Sequence, residues 1–321
     1  MFTRFLPSIH YLTIMVFSVT LLGLMPSPTS AARFLIPEPP VYGMGHIQSL
    51  SAVSAELVER GHHVTLLCAT PDCTRKFSRC NANEIIFINT SATLGSVKNF
   101  NKLVMGKYDF KGNIVEQFQF MKDLFKVMAT ICNDMFADNK TLSYLQESSF
   151  DMLLVDAFNP CDMLLKEYLH LPFVVLTGNR EYTYVNHWNF HLQRPLAYMP
   201  VTLSRRTDQM NFFQRVENCF RQWLNLFLVH NLGMDDPFYV IRDKYGISPK
   251  DIMTIARGAE VWLSQEDVSL DFPHPGMPNW VPVGGLAVRP AEPLQKVGPS
   301  LRSFMGRGRE RDQYKMMTLF L

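Results

Sequence analysis

Hydrophobic and polar positions along the chain fall into two kinds of pattern. Short runs of about five apolar residues are typical of strands buried in a parallel sheet, and apolar residues spaced by three and four are typical of helices with one buried face. The predicted strands cover residues 33–37, 63–68, 84–88, 150–156, 172–176, 261–263 and 280–285. The predicted helices cover residues 47–60, 113–136, 164–169 and 212–228.

These elements alternate along the chain. Strand 33–37, helix 47–60 and strand 63–68 form a βαβ unit, and such units imply parallel strands with helices on both faces of the sheet. The pattern predicts an α/β fold, a Rossmann-like doubly wound parallel sheet in one domain over residues 33–293. Residues 294–321 break the pattern and are expected to form a divergent, charged tail.

The N-terminal segment has the order of residues of a secretory signal peptide. Arg4 precedes an apolar run, and small residues follow it up to Ala32. The run of about fifteen residues is short for a membrane span, which needs ~20. We therefore expect cleavage of residues 1–32 and a mature chain in the lumen of the endoplasmic reticulum. Two glycosylation sequons, at Asn89 and Asn139, agree with this location.

The composition is that of a globular protein. The net charge of +2 argues against a nucleic-acid partner, and 24 Phe with 18 Met indicate either an adaptable core or a wide apolar pocket. The six cysteines are too few for a disulfide scaffold, although Cys73 and Cys80 lie on one polar loop and are a candidate pair. No cysteine spacing typical of a metal site is present, so we expect no metal cofactor.

Two side chains stand where an open α/β sheet binds ligands, just beyond the carboxyl ends of strands. His46 follows the first strand and Asp156 ends the strand 150–156. A histidine base whose second nitrogen bonds a carboxylate is a common catalytic dyad. The alternative is that His46 is an ordinary polar residue near a helix start and that Asp156 caps the next helix.

A dinucleotide site is less consistent with the sequence. The turn 43–46 contains only two glycines of the phosphate-binding pattern, and no acidic residue ends the strand 63–68, where a ribose contact is expected. The aromatic segment 182–198 is a candidate wall of a pocket, because loops that follow strands often bind ligands. The alternative for this segment and its histidines is an ordinary exposed loop.

Several segments resemble, in the same order, the N-terminal half of the UDP-glycosyltransferases of the glucuronosyltransferase type. The resemblance extends over residues 33–293. The matching segments are Gly45-His46, 59–65, 150–156 with Cys161, 195–200, 207–216 and 271–285. The ceramide galactosyltransferase branch shares residues 59–63 and 290–294, and the two branches stay open at this point.

The resemblance implies the N-terminal, acceptor-binding domain of a GT-B fold. It implies that His46 is the general base, that Asp156 orients and stabilises it, and that a sugar passes from a UDP-sugar to the hydroxyl of a small lipophilic acceptor with inversion. UDP-glucuronate is the first candidate for this co-substrate, and no cofactor or metal is implied. The donor-binding domain and the C-terminal transmembrane anchor of the family are expected to be absent.

Two classes of function therefore remain. The chain is a glycosyltransferase by family that is inactive alone, either glucuronosyltransferase-like or similar to the galactosyltransferases that make glycolipids. Alternatively, it is a non-catalytic lumenal binding or regulatory protein that forms homo-oligomers or pairs with full-length transferases.

Overall fold

The computed structural model describes residues 31–39, 44–89, 114–177, 194–201 and 204–288, except for single positions at 205, 232, 234, 268, 270 and 287. Seven strands form one sheet within these residues. They are β1 (Arg33–Pro37), β2 (His63–Cys68), β3 (Glu84–Phe87), β4 (Met152–Asp156), β5 (Phe173–Thr177), β6 (Val261–Ser264) and β7 (Trp280–Pro282).

Helices connect these strands. They are α1 (Met44–Glu59), α2 (Cys73–Lys76), α3 (Ile114–Ala137), α4 (Asn139–Glu147), α5 (Pro160–Leu169), α6 (Phe212–Asn231), α7 (Asp236–Lys244) and α8 (Ile252–Arg257). No helix among the described residues is long and apolar enough to span a membrane. The predicted signal peptide up to residue 30, most of the aromatic segment 182–198 and the tail 294–321 lie outside the described residues.

The strands lie in the order β3-β2-β1-β4-β5-β6-β7, and every neighbouring pair is parallel. The chain first builds outward from β1 to β3 and then returns to the other side of β1 with β4. This reversal of direction is the switch point of a doubly wound sheet, beside which ligands bind. The predicted Rossmann-like α/β fold is confirmed.

Alternating side chains of the central strands fill two apolar layers, one on each face of the sheet. Leu35 of β1 and Val155 of β4 belong to the layer beneath the long helix α3. Ile36 of β1 packs on the opposite face with Ile47 and Leu50 of α1. Because β1 is covered on both faces, its sequence is a continuous apolar run, and the strand lies between helices α1 and α3.

The candidate pairing of Cys73 with Cys80 is not the one that the structure shows. Cys73 is bonded to Cys68, and Cys80 is a half-buried thiol whose pKa is raised by its partial burial. Cys68 ends β2, and the chain turns back within five residues, which brings the two Cα atoms to 5.7 Å, a separation that suits a disulfide. A second disulfide, which the sequence did not indicate, joins Cys132 of α3 to Cys161 of α5.

Candidate active site

The site lies where β1 and β4 end side by side. These two strands are direct neighbours in the sheet, with Phe34 opposite Met152 and Leu35 opposite Leu153. Asp156 is the last residue of β4, and His46 is the third residue of α1, the helix that follows β1. Parallel strands end at one edge, so the sheet order itself brings the two side chains to the same place.

His46 and Asp156 are in direct contact. The Nδ1 atom of His46 lies 2.7 Å from Oδ2 of Asp156, and the two side chains are 13% and 1% exposed. The backbone N–H of Phe158 donates to the other carboxylate oxygen of Asp156 at 2.9 Å. The carboxylate is therefore fixed from both sides, and it can hold the imidazole ring in one orientation.

Asp156 does not cap the next helix, which was the alternative interpretation of this residue. The side chain of Asn159 does so, because its oxygen accepts from the backbone N–H of Cys161 at the start of α5. The side chain of Asp156 bonds to His46 instead. An ionised carboxylate only accepts hydrogen bonds, so Nδ1 of His46 carries the proton and Nε2 is the basic nitrogen of the ring.

A second buried carboxyl group lies behind this pair. Asp162, in the first turn of α5, accepts a hydrogen bond from the side-chain nitrogen of Asn159 at 2.7 Å. Burial raises the pKa of Asp162 well above its usual range, and the negative charge of Asp156 raises it further. Asp162 therefore favours its neutral form, which avoids a second buried negative charge next to Asp156.

Sequence reasoning did not identify the residues that tie β6 to the helix bearing His46. The side-chain nitrogen of Gln265, directly after β6, donates to the hydroxyl of Ser49 on α1. Ser49 in turn donates to the backbone oxygen of Gly45 at 2.9 Å. Their separation of 216 residues left no signal in the sequence, because only the sheet order brings them together.

A second histidine–carboxylate pair also lies beyond the end of β6. Nε2 of His274 is 2.9 Å from Oε2 of Glu266, and Nδ1 is 2.9 Å from the backbone oxygen of Pro275. The hydrogen bond to Glu266 raises the pKa of His274, burial lowers it, and the contact with Pro275 raises it. Since both ring nitrogens face acceptors, His274 favours the charged form and fixes the loop 271–277 to β6.

The carboxyl ends of β1 and β2 are clamped by Glu38. One oxygen of Glu38 accepts from the backbone N–H groups of Ala69 and Thr70 at 2.9 Å each, and the other is 2.8 Å from Nζ of Lys76. Glu38, Cys68 and Cys73 place ligand atoms within 4.8 Å of one another. Both sulfurs are in a disulfide and the carboxylate is saturated with hydrogen bonds, so this cluster does not fit a metal.

The two predicted glycosylation residues are both exposed. Asn89 follows β3, and Asn139 is the first residue of α4. The backbone N–H of Asn89 donates to Asp138, the residue before Asn139, at 3.3 Å. Asn89 and Asn139 are therefore neighbours in space although they are far apart in the sequence.

Comparison with known proteins gives consistent matches. The family model described as "UDP-glucoronosyl and UDP-glucosyl transferase" matches residues 41–304. UDP-glucuronosyltransferase 2B19 of Macaca fascicularis is 34% identical over 267 residues, covering 78% of this chain and 48% of the relative. UDP-glucuronosyltransferase 2B7 of Homo sapiens is 30% identical over 263 residues, with the same two coverages. The chain spans about half the length of these curated relatives.

Solved structures are more distant. The chain is similar to apo UGT2 of Phytolacca americana with a TM-score of 0.40 and 16% identity, covering 87% of this chain and 55% of that one. It is similar to the glycosyltransferase VinC with a TM-score of 0.40 and 14% identity, covering 76% and 51%. The family match includes His46, Asp156 and every strand from β2 to β7. On that match, the chain belongs to the UDP-glucuronosyl and UDP-glucosyl transferase family.

Proposed function

We propose that the described domain is the acceptor-binding half of a UDP-glycosyltransferase with a GT-B fold, and that His46 is its general base. The observation that carries the proposal is the 2.7 Å contact between Nδ1 of His46 and Oδ2 of Asp156. It leaves Nε2 as the ring nitrogen that can take a proton from a hydroxyl group. It also gives the imidazolium that then forms a buried counter-charge.

The proposed reaction is a single displacement. Nε2 of His46 takes the hydroxyl proton of the acceptor while the acceptor oxygen bonds to the anomeric carbon of the sugar. The bond from that carbon to the diphosphate breaks, UDP leaves with the electron pair, and the configuration at carbon is inverted. Asp156 keeps the ring in position and stabilises its positive charge, as the carboxylate of a histidine dyad does elsewhere.

We propose UDP-glucuronate as the donor, because relatives that match over 78% of the chain are named UDP-glucuronosyltransferases. The donor would be held by the second half of a GT-B fold, since these relatives are about twice as long as the matched region. The acceptor would be a small lipophilic hydroxyl compound. The proposed location is the lumen of the endoplasmic reticulum, in line with the expected signal peptide.

A chimera tests the assignment of the base. Residues 1–293 are joined to the donor-binding half of UDP-glucuronosyltransferase 2B7, and glucuronide formation is measured with a panel of phenols. We expect His46→Ala to lower kcat by roughly 10²–10⁴, the range for losing a general base. Asp156→Asn should also lower kcat, because the imidazolium loses its counter-charge.

The matched control is His170→Asn. His170 is an exposed histidine with a φ of 54° at the end of α5, a conformation that asparagine tolerates. This variant should retain the activity of the parent chimera. Near-normal kcat in His46→Ala would show that another group is the base.

A further inference from the structure

Helix α1 carries His46 in its first turn, directly after Gly45. Gly45 has no side chain that could pack on the core, and the ends of helices are the parts that fray. A β-carbon added at this position would meet no described atom within 4 Å, so the backbone is not tightly enclosed here. The position of the proposed base therefore depends on contacts that other elements make with the start of α1.

Two such contacts come from the carboxyl ends of two strands. Asp156, which ends β4, meets Nδ1 of His46 at 2.7 Å. Gln265, which follows β6, donates from its side-chain nitrogen to the hydroxyl of Ser49, about one turn further along α1. Strand β5 lies between β4 and β6, so these two strands are about 10 Å apart. The start of α1 is thereby held at two separate points of the sheet edge.

Ser49 connects the second contact to the residue before His46. Its hydroxyl donates to the backbone oxygen of Gly45 at 2.9 Å, and the residue is buried. A hydroxyl group has one proton and two lone pairs, so Ser49 can donate to Gly45 and accept from Gln265 at the same time. The two hydrogen bonds therefore join Gln265 to the peptide unit that links Gly45 to His46.

The apolar layer beneath α1 brings the helix within reach of β6. Ile47 and Leu50 of α1 belong to this layer together with Leu154 of β4 and Leu176 of β5, and Leu263 of β6 packs against it. The layer thus extends from β4 to β6. The sheet order places the residue after β6 beside the second turn of α1 for this reason.

Gln265 is itself fixed by the strands around it. Its backbone N–H donates to the oxygen of Thr177, the last residue of β5, at 3.1 Å. The next residue, Glu266, is buried, and its carboxylate is 3.1 Å from the indole nitrogen of Trp280 and 2.9 Å from Nε2 of His274. These bonds attach the residues after β6 to β5, to β7 and to the loop that contains His274. The donor of Gln265 is therefore presented from a well-fixed backbone.

We propose that Gln265 is a positioning residue for the base, because it holds, through Ser49, the peptide unit that precedes His46. The proposal rests on the proposed function, in which Nε2 of His46 takes the hydroxyl proton of the acceptor. Asp156 fixes the orientation of the imidazole ring, and Gln265 fixes the backbone from which the ring extends. Proton transfer depends on both, since a displacement of about 1 Å at a reacting group can lower the rate about 100-fold.

The first test compares variants of the chimera. Gln265→Met keeps the length of the side chain and removes the donor, whereas Gln265→Lys restores a nitrogen donor. We expect Gln265→Met to lower kcat roughly 10- to 100-fold with little change in KM for the phenol, and Gln265→Lys to recover most of this loss. Gln48→Met is the matched control, because Gln48 is an exposed residue of the same helix, and it should keep the parent kcat.

The second test measures the start of α1 without turnover. Hydrogen exchange of the Ser49 and Leu50 amides, followed by NMR in the 321-residue chain, reports how often the first turn opens. Gln265→Met should speed this exchange several-fold, and so should Ser49→Ala. Gln265→Met in the Ser49→Ala background should add little, because the two residues act through one bond. Urea unfolding of each variant shows whether the fold is retained.

Unchanged kcat or unchanged hydrogen exchange in Gln265→Met would overturn the proposal. An equal loss of kcat in Gln48→Met, no recovery in Gln265→Lys, or additive effects of Gln265→Met and Ser49→Ala on exchange would overturn it as well. The proposed function fails separately, if His46→Ala keeps a near-normal kcat. The exchange rates would still show in that case whether Gln265 holds the first turn of α1.

Discussion

Asp156 determines which nitrogen of His46 carries the proton. In the structure its carboxylate meets Nδ1 at 2.7 Å and is held in place by the N–H of Phe158. Which nitrogen of a neutral histidine carries the proton is set by the hydrogen bonds that the protein offers to the ring. The chemistry of the site thus depends on one buried carboxylate more than on the position of the ring alone.

The tautomer can be measured in the isolated chain. We expect the ¹⁵N NMR signals of His46 to show a protonated Nδ1 at neutral pH. Asp156→Ala should convert this signal to a mixture of tautomers, because the acceptor that holds the proton is lost. Asp162→Asn is the matched control, since it leaves Asp156 in place and should keep the Nδ1–H form. A protonated Nε2 in the unaltered chain would contradict the proposed direction of proton transfer.

Asp235 should make the stability of the domain depend on pH. Burial raises its pKa from 3.8 to about 6, and the charges of Asp236 and Asp251 add to this. A raised pKa means that the folded state favours the protonated form. The resulting stability is fully present below about pH 4 and is lost as the pH rises through about 6.

Asp235→Asn mimics the protonated form at every pH. We expect it to raise the free energy of unfolding by about 2–3 kcal/mol at pH 8 and to change it little at pH 4, since each pKa unit corresponds to about 1.4 kcal/mol. Urea unfolding at the two pH values measures the difference. The exposed Asp208 provides the control variant Asp208→Asn, for which no such pH-dependent gain is expected, because its charge is not among those that act on Asp235.

At the scale of elements, the start of α5 is the best-fixed part of the site. Asn159 caps the helix, Pro160 occupies its first turn, and Cys161 is bonded to Cys132 of α3. The turn that leaves Asp156 is therefore held to the long helix by a covalent bond. Proline at the first helical position and a capping asparagine are both readable from sequence. The helix predicted from apolar spacing nevertheless begins at residue 164, because that spacing does not register the cap and the proline at the true start.

Removing this disulfide should weaken both the fold and the site. For residues 29 apart in sequence, loop-closure arguments give a loss of about 2–4 kcal/mol in the free energy of unfolding. Cys161→Ser should show this loss in denaturant unfolding and should also lower activity in the chimera, because the turn after Asp156 loosens. Cys219→Ser is the control, since Cys219 is an exposed thiol outside any disulfide. Equal stability of the two variants would show that packing alone holds the turn.

Apolar runs and long periodic patterns predicted elements well, whereas short helices that depend on a capping residue were missed. The seven strands and the helices α1, α3 and α6 follow directly from their hydrophobic spacing. Helices α4 and α8 are capped by Asp138 and Asp251, the residues directly before them, but each buries only a few side chains and leaves a weak periodic signal. The cysteine pairing failed for another reason, because it depends on how tightly the chain turns after β2.

At the scale of the whole molecule, sheet order explains how much of the site was predictable. His46 and Asp156 are candidates because one follows a strand and the other ends one, and they meet because β1 and β4 are neighbours. Gln265 and Ser49 belong to the same edge, yet neither stands out from its local sequence. Contacts across 216 residues become visible only when the order of strands is known.

In the proposed GT-B fold, one half binds the acceptor and the other half binds the UDP-sugar. Transfer with inversion requires the acceptor oxygen within about 3–3.5 Å of the anomeric carbon and in line with the departing diphosphate. In the proposed reaction, the described domain supplies His46 as the base and Asp156 as its carboxylate, on one side of such an arrangement. The relatives are about twice as long as the matched region, and we propose that their remaining half holds the UDP-sugar.

We therefore expect the 321-residue chain alone to bind lipophilic phenols but to form no product with UDP-glucuronate, and to give no calorimetric heat with UDP. Adding the separately expressed donor half of UDP-glucuronosyltransferase 2B7 should restore some turnover, and His46→Ala should abolish that turnover while phenol binding persists. Binding of a phenol needs only the first domain, whereas charge on the leaving diphosphate must be stabilised by donors that the second domain supplies. Turnover by the chain alone that disappears in His46→Ala would show that it holds the donor itself, and the proposed division between the two halves would then be wrong.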